Sequence, residues 1–377
     1  MHKLKFVFIV NDYNFAISHR AEILEEMHKR GFDVNIVCFP SKKPFKPNDK
    51  FKIHIINSES TSQNIFQLIK LLFQYFDLIK KLKPNIVHLV TIKPVLFGGI
   101  VMLFFRKVPV VFSIPGFGSL FSETSFISKI KEYILKALYK TVLLKKRKNV
   151  IVQSKQNLDT IFSISKIDKK QVSLIPGSGV DLSNFSYSPI KQRKTFIFAS
   201  RLLIQKGVED FFEASRILKE KDPEIRMLLA GNLDLSNPNS ISEKFFNSII
   251  KSNFIEYLGE LESIKSVLED STCLVLPTYY GEGLPKVLIE ANAIGRPVIA
   301  TKISGCSDFI IENKNGFFIQ PKNPEDIAEK IIRIANNEKK QDEMALFSSI
   351  YVKKNHDVNQ VVSLHVKLYE KALYEEL

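Results

Sequence analysis

The most informative part of the chain is TYYGEGLPKVLIEANAIGRPVIATKISG, residues 278–305. Apolar runs that fit buried strands lie just before it and within it, at residues 273–277 and 297–300. Between these runs, Pro285 suits the first turn of a helix, where its missing N–H costs no hydrogen bond. A helix that begins there presents free backbone amides and the positive end of its dipole, which together favour a phosphate group. The stretch therefore predicts a strand–helix–strand unit with an anion site in front of the helix.

Two glutamates, Glu282 and Glu290, stand on either side of this helix start. At a rise of about 1.5 Å per residue they lie roughly 12 Å apart along the helix axis. They are therefore too far apart to share a proton. The spacing suits an extended ligand held at both ends, with a diphosphate in its middle, and a nucleotide-diphosphate sugar has that layout. The competing interpretation is a glutamate that only caps the helix through its dipole.

A cationic segment lies upstream of this region. An apolar strand pattern at 195–200 is followed by Arg201-Leu-Leu-Ile-Gln-Lys206-Gly207 and then by an amphipathic helix. Arg201 and Lys206 would then lie at the carboxyl end of a strand, where doubly wound sheets bind their ligands. The alternative is that both are ordinary loop charges in water.

Together these segments resemble the C-terminal half of the retaining glycosyltransferases of family 4. The resemblance continues through residues 175–185, 254–259 and 315–319. It implies the GT-B fold, an α/β architecture in which two Rossmann-like doubly wound domains face each other across a cleft. The alternation of strand and helix patterns along the whole chain favours the same class, because such alternation builds parallel sheets covered on both faces.

The domain limits follow from the polar segment Tyr187-Ser188-Pro189, which precedes a fresh strand. We expect seven strands before it and six after it. The expected domains are an acceptor-binding domain at 1–187 and a nucleotide-sugar domain at 188–355. The last segment, 356–377, is expected to form a helix that crosses back to the first domain, as the resemblance implies.

The resemblance assigns roles to individual residues. Arg201 and Lys206 would stabilise the departing diphosphate and Glu282 would orient sugar hydroxyls, so these three are the expected catalytic residues. Glu290 would accept hydrogen bonds from the ribose diol. The other expected donor-binding residues surround the helix start or lie on the strand that reads the base: Gly283, Leu284, Pro285, Lys286, Leu258 and Gly259. No Asp-x-Asp pair occurs, so we expect no metal and no other cofactor, the nucleotide sugar being a substrate.

Three loops of the first half resemble a subgroup that builds bacterial O-antigen and capsule polysaccharides. Each follows an apolar strand and would open toward the cleft. Their candidate acceptor-binding residues are Ser18, His19, His88, Lys93, Gly116 and Gly118. The first loop lacks the two glycines that many members of the family carry there. Structural roles compete with these assignments, since a serine can be a helix N-cap and a strand histidine a buried one, and no catalytic histidine is assigned.

Excess positive charge lies in the first half, where residues 1–180 carry a net charge of +17 and the remainder −3. Two apolar segments, 65–82 and 127–144, carry or end in lysines, and the second runs into Lys145-Lys146-Arg147-Lys148. Such helices suit an anionic membrane surface, although packed helices with lysines in water share the pattern. No nucleic-acid-binding signature accompanies the charge. Membrane lipid is therefore the expected anionic partner.

The expected location is the cytoplasm, with peripheral attachment to the inner face of the cytoplasmic membrane. The first residues fit a β-strand better than an export signal, and the apolar run at 95–105 is too short to cross a bilayer. The three cysteines form neither a close pair nor a metal-type spacing, which suits a reducing compartment.

The resemblance implies a retaining hexosyltransferase. It would move a hexosyl or N-acetylhexosaminyl group from a nucleotide-diphosphate sugar to a lipid-linked saccharide in bacterial surface polysaccharide synthesis, and the subgroup resemblance implies a UDP donor. Two alternatives remain open. One is a UDP-sugar epimerase of the same overall fold, which would act on the donor without an acceptor. The other is a catalytically silent GT-B partner subunit, from which the phosphate-binding cations would be expected to be lost.

Overall fold

A computed structural model describes residues 3–41, 47–58, 64–116, 126–279, 281 and 283–374. The chain forms two compact units. The first unit contains Met1–Ser178 and Val358–Leu377, and the second contains Gly179–Asp357.

The division between the units lies before the predicted limit at 187. The Val180 amide donates to the His356 carbonyl at 2.9 Å, and Val180 also pairs with Asp357 in an isolated parallel bridge. These contacts attach the segment before Tyr187 to the second unit. Return to the first unit occurs at Val358, two positions after the predicted start at 356.

The first unit is built on a seven-stranded parallel sheet within the described residues. Its strands are β1 (Lys5–Ile9), β2 (Asp33–Cys38), β3 (Lys52–Ile55), β4 (Ile86–Val90), β5 (Val110–Ile114), β6 (Lys148–Val152) and β7 (Val172–Leu174). The order across the sheet is β3-β2-β1-β4-β5-β6-β7. All seven strands predicted from the sequence are present. Their apolar runs are nearly continuous because both faces of the sheet are covered.

Helices cover both faces of this sheet. On one face lie α1 (Tyr13–Lys29) and the last helix of the chain, Val358–Tyr374, which share a core with β1 and β2. On the other face lie α2 (Ile65–Leu82), the π-helical turn Pro94–Gly98, α3 (Gly99–Met102), α4 (Phe126–Val142) and α5 (Lys155–Ile164). The last helix therefore belongs to the first unit and packs on its sheet.

The second unit has a six-stranded parallel sheet. Its strands are β8 (Thr195–Ala199), β9 (Arg226–Ala230), β10 (Glu256–Gly259), β11 (Cys273–Leu276), β12 (Val298–Thr301) and β13 (Gly316–Ile319), in the order β10-β9-β8-β11-β12-β13. Its helices are α6 (Val208–Lys221), α7 (Glu243–Lys251), α8 (Lys265–Glu269), α9 (Lys286–Ile294), α10 (Cys306–Phe309), α11 (Pro324–Ala335) and α12 (Glu338–Asn355); the last helix of the chain is α13. One hydrophobic core runs through this unit.

His88 is a structural residue, and its assignment to an acceptor loop is wrong. It lies inside β4 and is fully buried. Its Nε2 is 2.6 Å from the Ser113 hydroxyl, and its Nδ1 is 2.7 Å from the Tyr369 hydroxyl of α13. His365, also on α13 and buried, donates from Nδ1 to the Val361 carbonyl at 2.8 Å. These contacts fix α13 on the sheet of the first unit.

We expect the free energy of unfolding to fall as the pH drops below about 6.5. Burial lowers the pKa of His88 well below 6.5 and that of His365 to about 3. Above pH 6.5 both rings are neutral in the folded and unfolded chain. Below it the histidines of the unfolded chain bind protons, whereas the buried rings of the folded chain stay neutral. The free energy of unfolding therefore falls by about 1.4 kcal/mol per histidine between pH 7.5 and 5.5.

Urea unfolding followed by circular dichroism at these two pH values measures the loss. His365→Met should unfold with a smaller difference between pH 7.5 and 5.5 than the wild type, because one of the two titrations is gone. An equal difference in both proteins would contradict the assignment of this pH dependence to His365.

The basic run that closes the 127–148 region does not form a cationic patch. Lys145 and Lys148 are buried, and burial lowers the pKa of Lys145 to about 8. The Lys145 ammonium donates to the carbonyls of Phe105 and Arg106 at 3.0 and 2.8 Å. Arg147 donates to the carbonyls of Lys107 and Ala372. These side chains satisfy buried backbone carbonyls, so removing their charges would test stability before it tested lipid binding.

None of the helices in the described parts of the chain combines the length and the apolar character needed to cross a bilayer. The apolar run at 95–105, predicted to be a buried helix, is the π-helical turn followed by the short helix α3, with most side chains buried and Phe104 exposed. Cys38, Cys273 and Cys306 are buried, and none of them is in a disulfide.

Candidate active site

The sheet of the second unit has a topological switch point between β8 and β11. These two strands are neighbours, with Cys273 paired to Phe196. From β8 the chain continues outward to β9 and β10, whereas from β11 it continues in the opposite direction to β12 and β13. Ligands of doubly wound sheets bind at the carboxyl ends of strands beside such a reversal. The segment after β8 and the segment after β11 therefore form the candidate site.

The segment after β8 carries the two predicted cations. Arg201 is exposed, directly after the end of the strand. Lys206 ends a 3₁₀ turn, Ile204–Lys206, and is 8% exposed. Gly207 follows in the left-handed conformation, with φ at 77°, and α6 begins after it. A lysine with so little exposure is not an ordinary loop charge, which was the alternative interpretation from the sequence.

The two segments are held together by backbone contacts. The Tyr279 amide and the Thr278 hydroxyl both donate to the Gln205 carbonyl, at 3.0 and 3.2 Å. A Cβ atom at Gly207 would collide with the carbonyl oxygen of Pro277. Glycine is thus required at 207 both by its positive φ and by this close approach. The result is that the Lys206 turn and the loop after β11 form one rigid group.

The helix start lies one residue later than predicted. Pro285 is the N-cap, with φ −62° and ψ 127°, and α9 runs over Lys286–Ile294. The Leu288 amide bonds to the Pro285 carbonyl at 3.1 Å. The first turn of α9 follows the carboxyl end of β11, and helix N-termini at such positions are ready-made anion sites. Leu284 is buried in the core and Gly283 is buried beside it, so these two residues anchor the loop on the core of the second unit.

Glu290 lies on the second turn of α9, with 12% of its side chain exposed, and its carboxylate is 3.4 Å from the Lys286 ammonium. Burial raises the pKa of Glu290, and the neighbouring ammonium acts in the opposite direction. Lys286 is therefore placed at Glu290 as well as at the helix start. Glu282 lies outside the described residues.

Strand β10, which the sequence predicted to read the base, ends in an irregular segment. The pairing of β10 with β9 shifts between Tyr257 and Gly259, which leaves Leu258 out of the ladder. The Gly259 carbonyl accepts from the Gly231 amide at 2.8 Å, and the Tyr257 hydroxyl donates to the Gly231 carbonyl at 2.8 Å. Leu258 and Gly259 are half-buried at the same carboxyl edge as Arg201.

Gly231 is a residue of this edge that the sequence reasoning missed. It follows β9 with φ at 154°, and a Cβ atom there would collide with the Ser200 carbonyl oxygen. The ends of β8 and β9 can approach closely only because this residue is glycine. The available signal was a lone glycine immediately after a predicted apolar strand, at a position where an open sheet binds its ligand.

The candidate residues of the first unit are distributed unevenly. Ser18 and His19 lie within α1, where their side chains are 2.7 Å apart and the His19 ring stacks on Phe15. Asp12, rather than Ser18, is the N-cap of α1, and its carboxylate accepts from the Phe15 amide.

Lys93 and Gly116 are half-buried, after β4 and β5 respectively. Because β4 and β5 are adjacent and parallel, these two residues share the carboxyl edge of the first sheet. Gly118 lies outside the described residues. The loops after β4 and β5 thus lie at one edge of the first sheet, whereas His88 lies inside β4 and not in a loop.

The candidate site of the second unit can bind an anionic ligand that also carries hydroxyl groups. It combines two cationic side chains, the first amides of α9 and the carboxylate of Glu290. Within the described residues, no three or more His, Cys, Asp or Glu side chains form a group that could hold a metal ion.

Two family models match the chain. The model described as glycosyl transferase 4-like matches residues 7–154, and the model described as glycosyl transferases group 1 matches residues 181–346. The second match contains the whole candidate site.

Curated relatives are similar to this chain over most of its length. An N,N'-diacetylbacillosaminyl-diphospho-undecaprenol alpha-1,3-N-acetylgalactosaminyltransferase of Campylobacter jejuni is 24% identical over 370 residues, covering 94% of this chain and 95% of the relative. A UDP-Gal:alpha-D-GlcNAc-diphosphoundecaprenol alpha-1,3-galactosyltransferase of Escherichia coli is 24% identical, covering 81% of each chain. The capsular polysaccharide biosynthesis glycosyltransferase CapM of Staphylococcus aureus is also 24% identical, covering 84% of this chain and 83% of the relative.

Solved structures share the fold. Sucrose-phosphate synthase from Thermosynechococcus elongatus superposes with a TM-score of 0.79 at 17% identity, covering 98% of this chain and 99% of that one. Anabaena HepE, solved in complex with UDP and glucose, superposes with a TM-score of 0.76 at 16% identity, covering 97% of this chain and 99% of that one. These likenesses confirm the predicted fold class, an α/β GT-B architecture with two doubly wound units.

Proposed function

Because the chain belongs to the glycosyltransferases of the group 1 and family 4-like type, with the GT-B fold, we propose that it is a retaining hexosyltransferase. The donor is a UDP-linked hexose or N-acetylhexosamine, and the acceptor is a lipid-linked saccharide of bacterial surface polysaccharide synthesis. Two relatives support the acceptor class, since their names specify saccharides on diphospho-undecaprenol. A UDP donor is supported by one relative's name and by the nucleotide bound in a structural neighbour.

The observation that carries this proposal is the joined pair of segments at the β8–β11 switch point. Arg201, Lys206 and the first amides of α9 supply positive charge along the two segments that follow β8 and β11, which are joined through the Gln205 carbonyl. Cleavage of the bond between the anomeric carbon and the diphosphate leaves negative charge on the leaving oxygen. Preorganised donors placed where that charge develops stabilise the transition state, and this is commonly the largest contribution to catalysis.

Each remaining residue has a place along the donor. Glu290, partly buried beside Lys286, accepts hydrogen bonds from the ribose diol. Glu282 orients the hydroxyls of the transferred sugar. The backbone at Leu258 and Gly259 contacts the base.

Transfer with retention requires no protein base. The acceptor hydroxyl attacks the anomeric carbon from the face that the diphosphate leaves. Its proton passes to the departing phosphate oxygen as the new glycosidic bond forms. The side chains of this site then hold and neutralise the diphosphate, and neither a metal nor another cofactor is part of the proposal.

The acceptor also determines where the enzyme works. A saccharide attached to a long polyprenyl chain is confined to a membrane, so transfer to it requires the enzyme to reach the membrane surface. We place this activity at the cytoplasmic face, where nucleotide sugars are available, with the protein attached peripherally.

A donor screen tests the proposal. UDP-, GDP- and dTDP-sugars are compared for the increase in Tm that they cause and for slow donor hydrolysis, with wild type, Glu290→Ala and the exposed control Glu243→Ala. We expect UDP-sugars to raise the Tm of the wild type and of Glu243→Ala, because a ligand that binds only the folded state stabilises it. Glu290→Ala should lose most of that increase.

Three outcomes would contradict the proposal. Stabilisation of Glu290→Ala equal to that of the wild type would remove Glu290 from the ribose site. Stabilisation by no UDP-sugar would overturn the donor assignment. Isomerisation of the donor, with no transfer to a lipid-linked saccharide, would identify an epimerase.

A further inference from the structure

Helix α2 presents apolar side chains on the face that points away from the sheet. Leu71, Tyr75 and Ile79 are buried against the core. On the opposite face, Phe66 is 78% exposed and Phe73 66% exposed, and Ile69 between them is also exposed. A helix on the surface of a globular protein normally turns its apolar side chains toward the core. Within the parts of the chain that the structure describes, the outward apolar side chains of α2 are therefore uncovered.

Helix α4 repeats this arrangement. Leu135 and Tyr139 are buried, whereas Tyr133, 75% exposed, and Ile134 point away from the sheet. Lysines lie beside them: Lys129, Lys131 and Lys140 are exposed on the same helix. The outward face of α4 is thus apolar with a cationic border.

The outward faces of α2 and α4 belong to one layer. Both helices pack against Pro94–Met102, on the same side of the first sheet. Phe104, exposed at the end of this connecting segment, lies 6.2 Å from the Phe76 ring of α2. We name the exposed apolar side chains of this layer the α2–α4 surface: Phe66, Ile69, Phe73, Phe104, Tyr133 and Ile134.

The charges around the α2–α4 surface are mainly positive. In addition to the lysines of α4, Lys70 on α2 and Arg106 and Lys107 beyond α3 are exposed. Of the acidic residues on the two helices, Glu132 is paired with Lys136 at 2.6 Å, which leaves Asp77 as the exposed carboxylate in their described parts. An apolar centre with a cationic border complements an anionic lipid surface, where aromatic and aliphatic groups enter the acyl boundary and lysines remain at the head groups.

The geometry points to the α2–α4 surface as the membrane-contacting face of this protein, binding bilayers that contain anionic lipids. Insertion is shallow, because the apolar side chains stand on helices that stay packed on their own core. The inference rests on the proposed peripheral attachment and deepens it by naming the surface and the lipid class. It does not depend on the donor site, since its observations come only from the outer layer of the first unit. It also replaces the 145–148 run as the membrane-contacting segment, since Lys145 and Arg147 of that run donate to backbone carbonyls.

The chain contains no tryptophan, so an introduced indole reports on its own surroundings without background. Phe73→Trp is mixed with phosphatidylcholine vesicles and with vesicles that also contain phosphatidylglycerol. We expect a blue shift of its emission with the anionic vesicles and little change with the neutral ones. Leu346→Trp, exposed on α12 of the second unit, is the matched control and should not shift. Absence of a shift for Phe73→Trp with anionic vesicles would overturn the inference.

Co-sedimentation with the anionic vesicles separates the apolar and the cationic contributions. Phe66→Ser with Phe73→Ser, and separately Lys129→Glu with Lys131→Glu, should each weaken binding by tenfold or more. The first variant removes apolar area that enters the acyl boundary, and the second reverses charges that attract anionic head groups. Lys339→Glu with Lys340→Glu on α12 is the control and should bind like the wild type. The circular dichroism spectra of all variants should match that of the wild type. Equal binding by all three variants would overturn the inference.

The remaining outcome is cover by a second copy of the chain. Analytical ultracentrifugation without lipid would then show a dimer that Phe66→Ser with Phe73→Ser converts to a monomer, and this would overturn the inference. Donor hydrolysis in solution should be unchanged in every variant of the α2–α4 surface. Loss of vesicle binding with intact hydrolysis thus separates this inference from the proposed reaction.

Discussion

Replacing Lys206 with methionine is expected to lower kcat by roughly 100- to 1,000-fold, the range found when a preorganised donor to a developing negative charge is removed. Lys206 is nearly buried at the end of the 3₁₀ turn, on the segment tied to the loop after β11. In the proposed reaction, its ammonium stabilises the negative charge that develops on the leaving diphosphate. Methionine keeps the apolar stem of lysine and removes the charged ammonium group.

Steady-state kinetics with a UDP-sugar and a lipid-linked acceptor measures this effect. Because the charge on the diphosphate increases as the bond breaks, we expect the loss mainly in kcat, with a smaller change in KM. Lys244→Met, an exposed lysine on α7 of the same unit, should retain wild-type rates. A kcat within about threefold of the wild type for Lys206→Met would remove Lys206 from the diphosphate site, whereas a rise in KM alone would make it a ground-state binding residue.

The strands of both sheets and the start of α9 were predictable from the sequence because their signals are local. Each strand is an apolar run, and the start of α9 follows from Gly-Leu-Pro within one residue. Gly207 could be placed at a turn for the same reason. A Cβ atom at Gly207 would meet the Pro277 carbonyl. These residues are distant in sequence, so a local sequence pattern could not predict this contact.

Polar residues with long-range partners were the ones that sequence reasoning misplaced. His88 was assigned to a loop, yet its partners Ser113 and Tyr369 lie on β5 and α13. Lys145 resembled a surface lysine, yet its ammonium donates to the carbonyls of Phe105 and Arg106 after α3. In each case the sequence shows a polar group but not the group that satisfies it, and burial of a polar group depends on that partner.

Replacing Arg296 with methionine is expected to destabilise the second unit by about 3–5 kcal/mol, the cost of leaving buried polar groups without their partner. Arg296 is fully buried, and burial lowers its pKa to about 10. Its guanidinium donates to the carbonyls of Leu268 and Glu269, each at 2.9 Å, and to that of Ser188 at 2.6 Å. One side chain thereby joins α8, α9 and the segment that leads into β8.

The size of the effect follows from the number of acceptors left behind. Methionine fills most of the volume but offers no donor, so several buried carbonyls lose their hydrogen bonds at once. Arg296→Lys is expected to recover only part of the stability, since a single ammonium cannot reach acceptors on different sides of a planar guanidinium. The sequence contains the signal, because Arg296 is the one charged residue between Glu290 and Lys302 in an otherwise apolar stretch.

Urea unfolding followed by far-ultraviolet circular dichroism tests the prediction, since the chain has no tryptophan to serve as a fluorescent probe. The matched control is Arg226→Met, which removes an exposed arginine paired with Glu256 at 2.8 Å. An exposed ion pair contributes at most about 1 kcal/mol, so the control should shift the midpoint only slightly. Equal midpoints for the two variants would show that the Arg296 hydrogen bonds are replaced by water after substitution. A much lower midpoint for Arg296→Met, partly restored in Arg296→Lys, is the result expected if the buried carbonyls of α8, α9 and the segment before β8 depend on this one guanidinium.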